Sequence, residues 1–365
     1  MKLLFAPALI FAVIFLLAIT SIFYEDIFPP LDDLSASNIA FRNLILPGAT
    51  ALFLIFVVLL KKFNFSKKFI ILAIFILTIF ELFRFAYKFL PFSKLELVFP
   101  ETKTTAFLES QEKPFRFLST DRRIFDGNTA SVYKIETVQG YDPLFLKDYA
   151  QLVSSWNENK VVDAGNFNRI ITPQNYDSQI ANLLNVKYIA SFDDISRTGF
   201  KKIFQEGETK IFTNENAFNR AFFVNEIVKV ENKDAELQKM FEENANLQTT
   251  AYSAEIGFVR QGVGGKISLE EYSDQAIFLK VITDQETPLV ISNIYYPGWR
   301  ASVNGKDVPI YRVDYLLQAI IVPKGESLVE FKFSPQSFYN GFYISLMTAL
   351  FAILVSLILW RKRFQ

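Results

Sequence analysis

The sequence predicts a membrane protein in which α-helical spans carry an extracytoplasmic α+β domain that ends in an antiparallel, jelly-roll-like β-sandwich. Three observations predict this fold class. Four long apolar runs interrupt the 365-residue chain, acidic and basic loops alternate between them, and short strand-like segments fill the region before the last run. With 51% hydrophobic residues and 40 Phe, the chain is too apolar for a disordered protein and unusual for a purely soluble one.

Each apolar run is close to the ~20 residues that a helix needs to cross the hydrocarbon core of a bilayer. The runs cover residues 3–23, 44–60, 69–90 and 338–360. The first run could be a signal peptide, but Lys2 is its only charge and no clear small-x-small cleavage site follows, so we interpret it as a retained span. We therefore expect a multi-pass protein of the cytoplasmic membrane, with membrane lipid as a partner.

The charges that flank these runs predict their orientation. Loop 24–43 is acidic, with the carboxylates Glu25, Asp26, Asp32 and Asp33. Loop 61–68 carries four Lys and no acid, and the tail after residue 360 is basic. Because basic loops stay inside, both termini are predicted to be cytoplasmic and residues 91–337 to be extracytoplasmic.

Two residue types are absent, and their absence excludes several kinds of chemistry. Without Cys there are no disulfides, thiolate nucleophiles or Zn–Cys sites, and without His there is no Ser-His-Asp catalysis and no imidazole ligand. The acidic loop could hold a divalent ion, but its topological role explains its charge equally well, so we predict no metal site. Lys plus Arg and Asp plus Glu number 38 each, which gives no argument for nucleic acid binding.

The outside region is predicted to contain a mixed α/β subdomain, residues 91–225, and a β-sandwich, residues 226–337. Helical patterns occupy residues 143–155, 177–184 and 234–243. Strand-like runs in the first part are 115–118, 131–136, 186–190, 210–213 and 221–224. Those in the second part are 250–256, 266–272, 276–283, 288–295, 300–303, 308–312, 318–322 and 328–333. Turn signals such as Asn304-Gly305 separate the later strands, which is typical of an antiparallel sandwich.

The most distinctive stretch is aromatic, and three interpretations of it stay open. It comprises Tyr295, Tyr296, Trp299 and Arg300, with Pro297-Gly298 between them. Exposed aromatic faces can stack on sugars, which makes these residues glycan-binding candidates, or they can stack on lipid head groups. They can also fill the core of the sandwich at a turn.

Two further groups are candidate site residues. Tyr141 and Asp142 could bind a glycan, or Asp142 could be the N-cap of a helix with Pro143 at its first position. Glu81, Arg84 and Lys88 lie in the third apolar run, where ionisable groups are costly unless they are paired or reach the interface. They could contact a lipid phosphate, or they could form an ion pair beside a snorkelling Lys88.

Taken together, the motifs resemble the YfhO-type family of bacterial membrane proteins. The motifs, in order, are Pro114-Phe115-Arg116, Gly140-Tyr141-Asp142-Pro143-Leu144, Leu183-Leu184-Asn185-Val186-Lys187-Tyr188, Arg220-Ala221-Phe222, Tyr296-Pro297-Gly298-Trp299 with Gly305-Lys306, and Pro323 with Gly325. The resemblance covers nearly the whole chain and is to the C-terminal portion of a family member. Such proteins resemble C-type glycosyltransferases, which take a sugar from a polyprenyl-phosphate donor.

The resemblance implies a role in sugar transfer onto cell-envelope glycopolymers. This chain keeps three spans before the outside domain where the family has about a dozen, so no catalytic residue can be carried over and no cofactor is expected in the chain itself. We therefore expect it to supply an acceptor-binding outside domain, with chemistry in a separate multi-span subunit. Two alternatives stay open: a non-catalytic glycan-binding or scaffold protein, and a complete small transferase that uses Glu25, Asp26, Asp32 or Asp33.

Overall fold

The computed structural model describes residues 47–53, 55–56, 66–90, 93–165, 170–259 and 265–363. The chain separates into two compact units, Met1–Val98 and Phe99–Gln365. The first predicted span and the acidic loop that follows it lie outside the described residues. The predicted boundary between two outside subdomains at residue 225 stays a prediction.

The described residues form seven long or short α-helices, further helical residues at 47–53 and 55–56, and nineteen strands. The helices are α1 (Lys67–Phe89), α2 (Lys103–Glu109), α3 (Thr129–Val132), α4 (Lys147–Glu158), α5 (Gln179–Leu183), α6 (Lys233–Met240) and α7 (Gln336–Arg363). The strands are β1 (Arg116–Ser119), β2 (Glu136–Thr137), β3 (Gly140–Tyr141), β4 (Ile170–Ile171), β5 (Val186–Ser191), β6 (Phe200–Glu206), β7 (Thr209–Asn214), β8 (Ala221–Phe223), β9 (Glu226–Lys229), β10 (Thr250–Ser253), β11 (Phe258–Val259), β12 (Gly265–Tyr272), β13 (Ala276–Thr283), β14 (Thr287–Ile294), β15 (Trp299–Val303), β16 (Lys306–Val308), β17 (Tyr311–Val313), β18 (Leu317–Val322) and β19 (Gly325–Phe333).

Helix α1 lies in the first unit and occupies the third apolar run. Its 23 residues span about 35 Å at a rise of about 1.5 Å per residue. Ser66 begins the helix, because its Oγ accepts a hydrogen bond from the backbone N–H of Phe69. Large apolar side chains point outward on several sides, with Phe83 74% exposed. A helix that is apolar all round suits a lipid environment.

Helix α7 is the second long apolar helix. Among the described residues, α1 and α7 are the two helices long and apolar enough to cross a membrane. Helix α7 follows the last strand after two residues and ends in a basic segment. The helical structure predicted for the third and fourth apolar runs is therefore confirmed.

The first part of the second unit is built on a mixed five-stranded sheet with the strand order β2-β1-β5-β7-β6. Strand β1 pairs in parallel with β2 and β5, whereas β7 pairs antiparallel with β5 and β6. Its central strands are buried, and Phe117, Leu118 and Ile189 are fully inaccessible. Continuous apolar runs are what such buried strands require.

Two small sheets accompany this mixed sheet. Strand β9 pairs in parallel with β10 and antiparallel with β11, and α6 lies between β9 and β10 in sequence. Strands β3 and β4 form an antiparallel pair. Asn232 begins α6, because its side chain accepts a hydrogen bond from Ala235 N at 3.0 Å.

The last part of the second unit contains two antiparallel sheets that share one apolar cluster. Their strand orders are β12-β13-β19-β15-β16 and β17-β18-β14-β8. Leu279 and Phe331 of the first sheet and Leu289 and Ile320 of the second belong to the same buried cluster. Burial alternates along β13 and β19, so each strand has one face toward this cluster.

Three predicted turns lie between strands of these sheets, but only one of them closes a hairpin. Asn304 and Gly305 have φ of 52° and 75°, so both adopt the positive φ that a two-residue hairpin between β15 and β16 needs. The segments at Pro297-Gly298 and Lys324-Gly325 instead carry the chain from one sheet to the other. The region is therefore α+β with antiparallel sheets, as predicted.

Three predicted elements are wrong. Residues 131–136 form no continuous strand, because α3 ends at Val132 and a positive φ of 51° at Lys134 turns the chain before β2. The predicted strand 308–312 is divided between β16 and β17, which belong to different sheets. Helix α4 begins at Lys147 and not at Pro143.

Candidate functional site

The aromatic stretch forms the turn between β14 and β15, and its side chains fall into two sets. Trp299 is half-buried, packs against the cluster shared by the two sheets, and has its ring centroid 5.4 Å from that of Phe333. Tyr295 and Tyr296 are 39% and 47% exposed. Arg300 is exposed on the neighbouring strand position. Trp299 thus fits the core interpretation, while the other three side chains are available to a partner.

Gly298 holds this turn against the segment that leads into α7. Its φ is +116°, and an added Cβ would lie 2.9 Å from Pro335 Cα. The backbone N–H of Ser334 donates to Gly298 O at 2.7 Å. Glycine is therefore required here both for its backbone conformation and for the close approach of the two segments.

Tyr141 and Asp142 lie on a different part of the unit, at the end of β3. Tyr141 is 45% exposed. The prediction that Asp142 caps a helix is wrong, because Asp142 Oδ1 accepts from the backbone N–H of Leu144 at 2.7 Å and α4 starts only at Lys147. Asp142 therefore stabilises a local turn. No hydrogen bond, ion pair or ring contact among the described residues joins this pair to the aromatic turn.

In the first unit, Glu81 and Arg84 form the predicted i,i+3 ion pair on α1. Arg84 Nη2 lies 3.3 Å from Glu81 Oε2, and Thr50 Oγ1 donates to Glu81 Oε1 at 3.0 Å. The carboxylate therefore has partners on two helical segments, which is how an ionisable group at membrane depth is made tolerable. Lys88 lies on the same helix, one turn after Arg84.

A buried arginine pair was not predicted as a site. Arg116 on β1 donates through Nη2 to Ser292 O at 2.7 Å, and through Nη1 to Leu184 O at 2.9 Å and Ser292 Oγ at 3.0 Å. Arg220 Nη2 donates to Glu136 Oε2 at 2.7 Å. That carboxylate oxygen also lies 3.7 Å from Arg116 Nε. One carboxylate thus serves two guanidinium groups.

Burial and the second cation govern the charge of this pair. Desolvation, reinforced by the charge of Arg220, lowers the pKa of Arg116 to about 10. Arg116 remains charged at neutral pH. Its Nη donors are taken by protein acceptors, so it holds the mixed sheet to β14 and leaves little for a ligand.

The arginine pair brings together three motifs that are far apart in sequence, namely those at Arg116, Leu184 and Arg220. The signal that could have found it is a charged residue inside an apolar strand-like run, as in Pro114-Phe115-Arg116-Phe117. A charged side chain that is nearly inaccessible must be paired. Arg220 has a side chain only 2% exposed and meets that requirement through Glu136.

A cavity of about 270 Å³ lies beside Arg116. Its lining includes Gly140, Tyr149, Ile171 and Ile294. Tyr149 donates its hydroxyl to Val138 O at 2.6 Å, and burial raises the pKa of this hydroxyl. The polar groups of the lining thus have protein partners, and the cavity is mainly apolar.

A second depression, of about 280 Å³, is lined by polar side chains, and we call it the polar depression. Its lining is Asn159, Gln174, Asn175, Tyr176, Asp177 and Arg197. Arg197 Nη1 contacts Asp177 Oδ2 at 2.5 Å, which balances their charges. The exposed side chains of Asn159 and Gln174 make no hydrogen bond to any other described residue. Sequence analysis missed this site, because its residues come from three loops with no common motif.

A buried carboxyl pair supports the turn between β17 and β18. Glu236 on α6 accepts from Ala254 N at 2.7 Å and from Tyr315 N at 3.1 Å. Asp314 accepts from Tyr252 N at 2.9 Å through Oδ1, and burial raises its pKa to about 8. Both carboxyl groups face backbone N–H donors and are fully buried, so their role is structural.

Among the described residues, no group of three or more acidic side chains is arranged to hold a metal ion. The carboxylates Glu25, Asp26, Asp32 and Asp33 lie outside the described part of the chain.

An α+β unit that passes directly into an apolar helix of membrane-spanning length is consistent with a membrane-associated protein. Residues 238–345 match the family described as bacterial membrane protein YfhO. The resemblance inferred from the motifs is confirmed over this stretch, and the chain is consistent with a YfhO-type family member. The match begins in α6, includes the aromatic turn and every strand of the two antiparallel sheets except β8, and ends in α7. The motifs at Arg116, Gly140, Leu184 and Arg220 lie outside it. No curated protein and no solved structure matches the chain.

Proposed function

We propose that the chain is the membrane-anchored outside domain of a YfhO-type, glycosyltransferase-like assembly, and that it holds an acceptor glycan of the cell envelope outside the cytoplasmic membrane. The two antiparallel sheets then form the β-sandwich of this domain, and α7 anchors it. The observation that carries the proposal is the family match, which runs without a break from the sheets into α7.

The polar depression suits a glycan better than the other surfaces do. A volume of about 280 Å³ is of the size that holds a single sugar ring. Planar amide side chains offer a donor and an acceptor side by side, which is what vicinal sugar hydroxyls need. Tyr176 adds an aromatic face, and the Asp177–Arg197 pair leaves the site without net charge. We therefore propose a neutral pyranose as the bound unit.

Glycan retention by the intact, detergent-solubilised chain tests this proposal. Isolated envelope glycopolymer is the probe, and retention is measured by co-sedimentation. Gln174→Ala with Asn159→Ala should abolish retention, because both exposed amides are removed. The control is Gln205→Ala with Lys201→Ala, which changes exposed side chains of β6 and should leave retention unchanged.

The aromatic turn is the rival glycan surface. If Tyr296→Ala abolishes retention while the double amide variant keeps it, the glycan binds at Tyr295, Tyr296 and Arg300, and the depression has no role. If the unmodified chain retains no glycopolymer at all, the acceptor-binding function itself is contradicted, and a scaffold function takes its place.

Transfer activity separates the proposal from the small-transferase alternative. We expect the purified chain to transfer no sugar from a polyprenyl-phosphate donor, because the resemblance gives it no catalytic residue. Turnover that is lost on Asp32→Asn or Asp33→Asn would overturn the proposal and establish the chain as a transferase.

A further inference from the structure

The aromatic turn lies at the end of the five-stranded antiparallel sheet from which α7 emerges. In the register of β15 and β19, Trp299 pairs with Phe333 and Arg300 with Lys332. Helix α7 begins at Gln336, three residues after Phe333. We call Tyr295, Tyr296, Arg300, Lys332 and Phe333 the juxtamembrane edge. If α7 crosses a bilayer, this edge is the part of the sheet nearest to the bilayer surface.

The juxtamembrane edge is tied to the start of α7. Ser334 N donates to Gly298 O at 2.7 Å, and Gly298 touches Pro335 so closely that a Cβ would not fit. The Tyr296 ring centroid lies 6.4 Å from that of Phe333. The turn therefore keeps a fixed position relative to the first residues of the apolar helix.

The first two turns of α7 continue the same aromatic character. Phe338, Tyr339, Phe342 and Tyr343 are all at least 42% exposed. Tyrosine and tryptophan concentrate where a span meets the head-group layer. At the other end, Trp360 precedes Arg361 and Lys362, which is the pattern of the opposite interface.

Charge at the juxtamembrane edge favours an anionic partner. Arg300 and Lys332 are direct cross-strand neighbours and both are exposed, and like charges opposite each other are destabilising. Lys332 Nζ lies 3.3 Å from Glu330 Oε1, whereas Arg300 forms no ion pair with any residue in the described ranges. Asp274, in the turn between β12 and β13, is an exposed acidic residue at the same end of the sheet. An anion bound at Arg300 would relieve the repulsion.

We propose that the juxtamembrane edge rests in the head-group layer of the bilayer that α7 crosses, with Tyr295 and Tyr296 at the interface and Arg300 bound to an anionic phospholipid phosphate. The neutral polar depression lies elsewhere in the unit, so this assignment is independent of glycan binding. It gives the aromatic turn a lipid partner in place of a sugar.

Depth measurements on the full chain in vesicles test this proposal. Because the chain has no Cys, Tyr296→Cys and Lys306→Cys each give a single site for a fluorescent bimane probe. Lys306 is the matched control, since it lies beyond the opposite end of β15. Phosphatidylcholine with a nitroxide high on its acyl chains should quench the probe at 296 several-fold more than the probe at 306. Arg300→Cys gives the same comparison if Tyr296→Cys does not fold.

The lipid charge is tested in the same vesicles. Nitroxide-labelled phosphatidylglycerol should quench the probe at 296 more than labelled phosphatidylcholine does. That preference should be lost on Arg300→Gln and kept on Lys306→Gln. Equal quenching at 296 and 306, or a preference that survives Arg300→Gln, overturns the proposal. So does a probe at 296 that lipid does not quench and that added envelope glycopolymer shields, since this would assign the turn to a glycan.

Discussion

At the scale of single residues, we expect buried ion pairs to contribute more to the stability of this protein than exposed ones. Arg220–Glu136 and Arg123–Asp121 are both arginine–carboxylate pairs with a closest distance of 2.7 Å. The arginine side chain is nearly inaccessible in the first pair and exposed in the second. Removal of one partner from a buried pair lowers the free energy of unfolding more, because the remaining charge cannot be solvated.

We expect Arg220→Ala to lower the free energy of unfolding by about 3–5 kcal/mol, which is typical of breaking a buried ion pair. Arg123→Ala is the matched control and should change stability little, since water replaces its partner. Denaturant unfolding of the detergent-solubilised chain, followed by near-ultraviolet circular dichroism, measures both. Equal effects of the two changes would contradict the structural role of the pair.

Asp314 predicts a pH dependence of stability. Burial raises its pKa to about 8, and the unfolded chain has the ordinary pKa of about 4. The folded state therefore holds the proton more tightly, so stability falls by at most about 1.4 kcal/mol per pH unit as the pH rises from about 4 to 8. Burial also raises the pKa of Glu236, which acts in the same direction.

Asp314→Asn should flatten this dependence, because the amide keeps an oxygen for Tyr252 N and has no proton to lose in that range. Asp274→Asn, an exposed carboxylate in a turn, is the control and should leave the slope unchanged. Unfolding midpoints measured between about pH 5 and pH 8 decide the matter. An unchanged slope in the Asp314 variant would show that another group titrates.

At the scale of elements, two turns carry the chain from one antiparallel sheet to the other. One of them, at Gly298, also contacts the segment that leads into α7. Gly298 and Gly325 both have positive φ, at +116° and +105°. A Cβ at Gly325 meets nothing within 4 Å, whereas one at Gly298 meets Pro335 and Phe333. A substitution at Gly325 would therefore add backbone strain alone, whereas one at Gly298 would add both backbone strain and a steric clash.

Gly325→Ala should cost about 1–3 kcal/mol of backbone strain, and Gly298→Ala should cost distinctly more, because Pro335 must also move. Thermal melts of the two variants make the comparison. If the two changes cost the same, the close contact between the aromatic turn and the entry to α7 is not important for stability.

Elements with one face on a shared core were predictable from the sequence, and polar or interrupted ones were not. The strand-like run at residues 276–283 predicted β13 with its observed bounds, and the runs at 288–295, 318–322 and 328–333 placed β14, β18 and β19 within a few residues. The edge strand β6 was missed, since Lys201, Lys202 and Gln205 make it polar. Residues 131–136 favour a strand by composition, but a turn at Lys134 overrides that preference.

The candidate sites divide in the same way. The aromatic turn was visible in sequence because aromatics, Pro and Gly stand side by side. The arginine pair and the polar depression were not, because their residues come together only through tertiary structure. No local pattern brings Asn159, Gln174 and Arg197 together. Arg116 and Arg220 are 104 positions apart in sequence and share the Glu136 carboxylate only in the folded chain.

At the scale of the whole molecule, the proposed function depends on α1 and α7 being membrane spans that leave the sheets outside. Their length and apolar surface make them suitable, and the family match points to a membrane protein. The flanking charges predict the orientation of the spans, because the Lys-rich loop and the basic tail are expected to be cytoplasmic. The proposed glycan contact assumes this orientation, whereas the proposed lipid contact requires only that α7 crosses the bilayer.

Cysteine labelling of intact cells tests the orientation most directly, and the absence of native Cys removes any background. Lys306→Cys places a thiol on the exposed hairpin of the antiparallel sheets, and Lys67→Cys places one at the start of α1. A membrane-impermeant maleimide should label position 306 in intact cells and position 67 only after the cells are opened. Labelling of position 67 but not 306 in intact cells would contradict the predicted orientation and, with it, the proposed function.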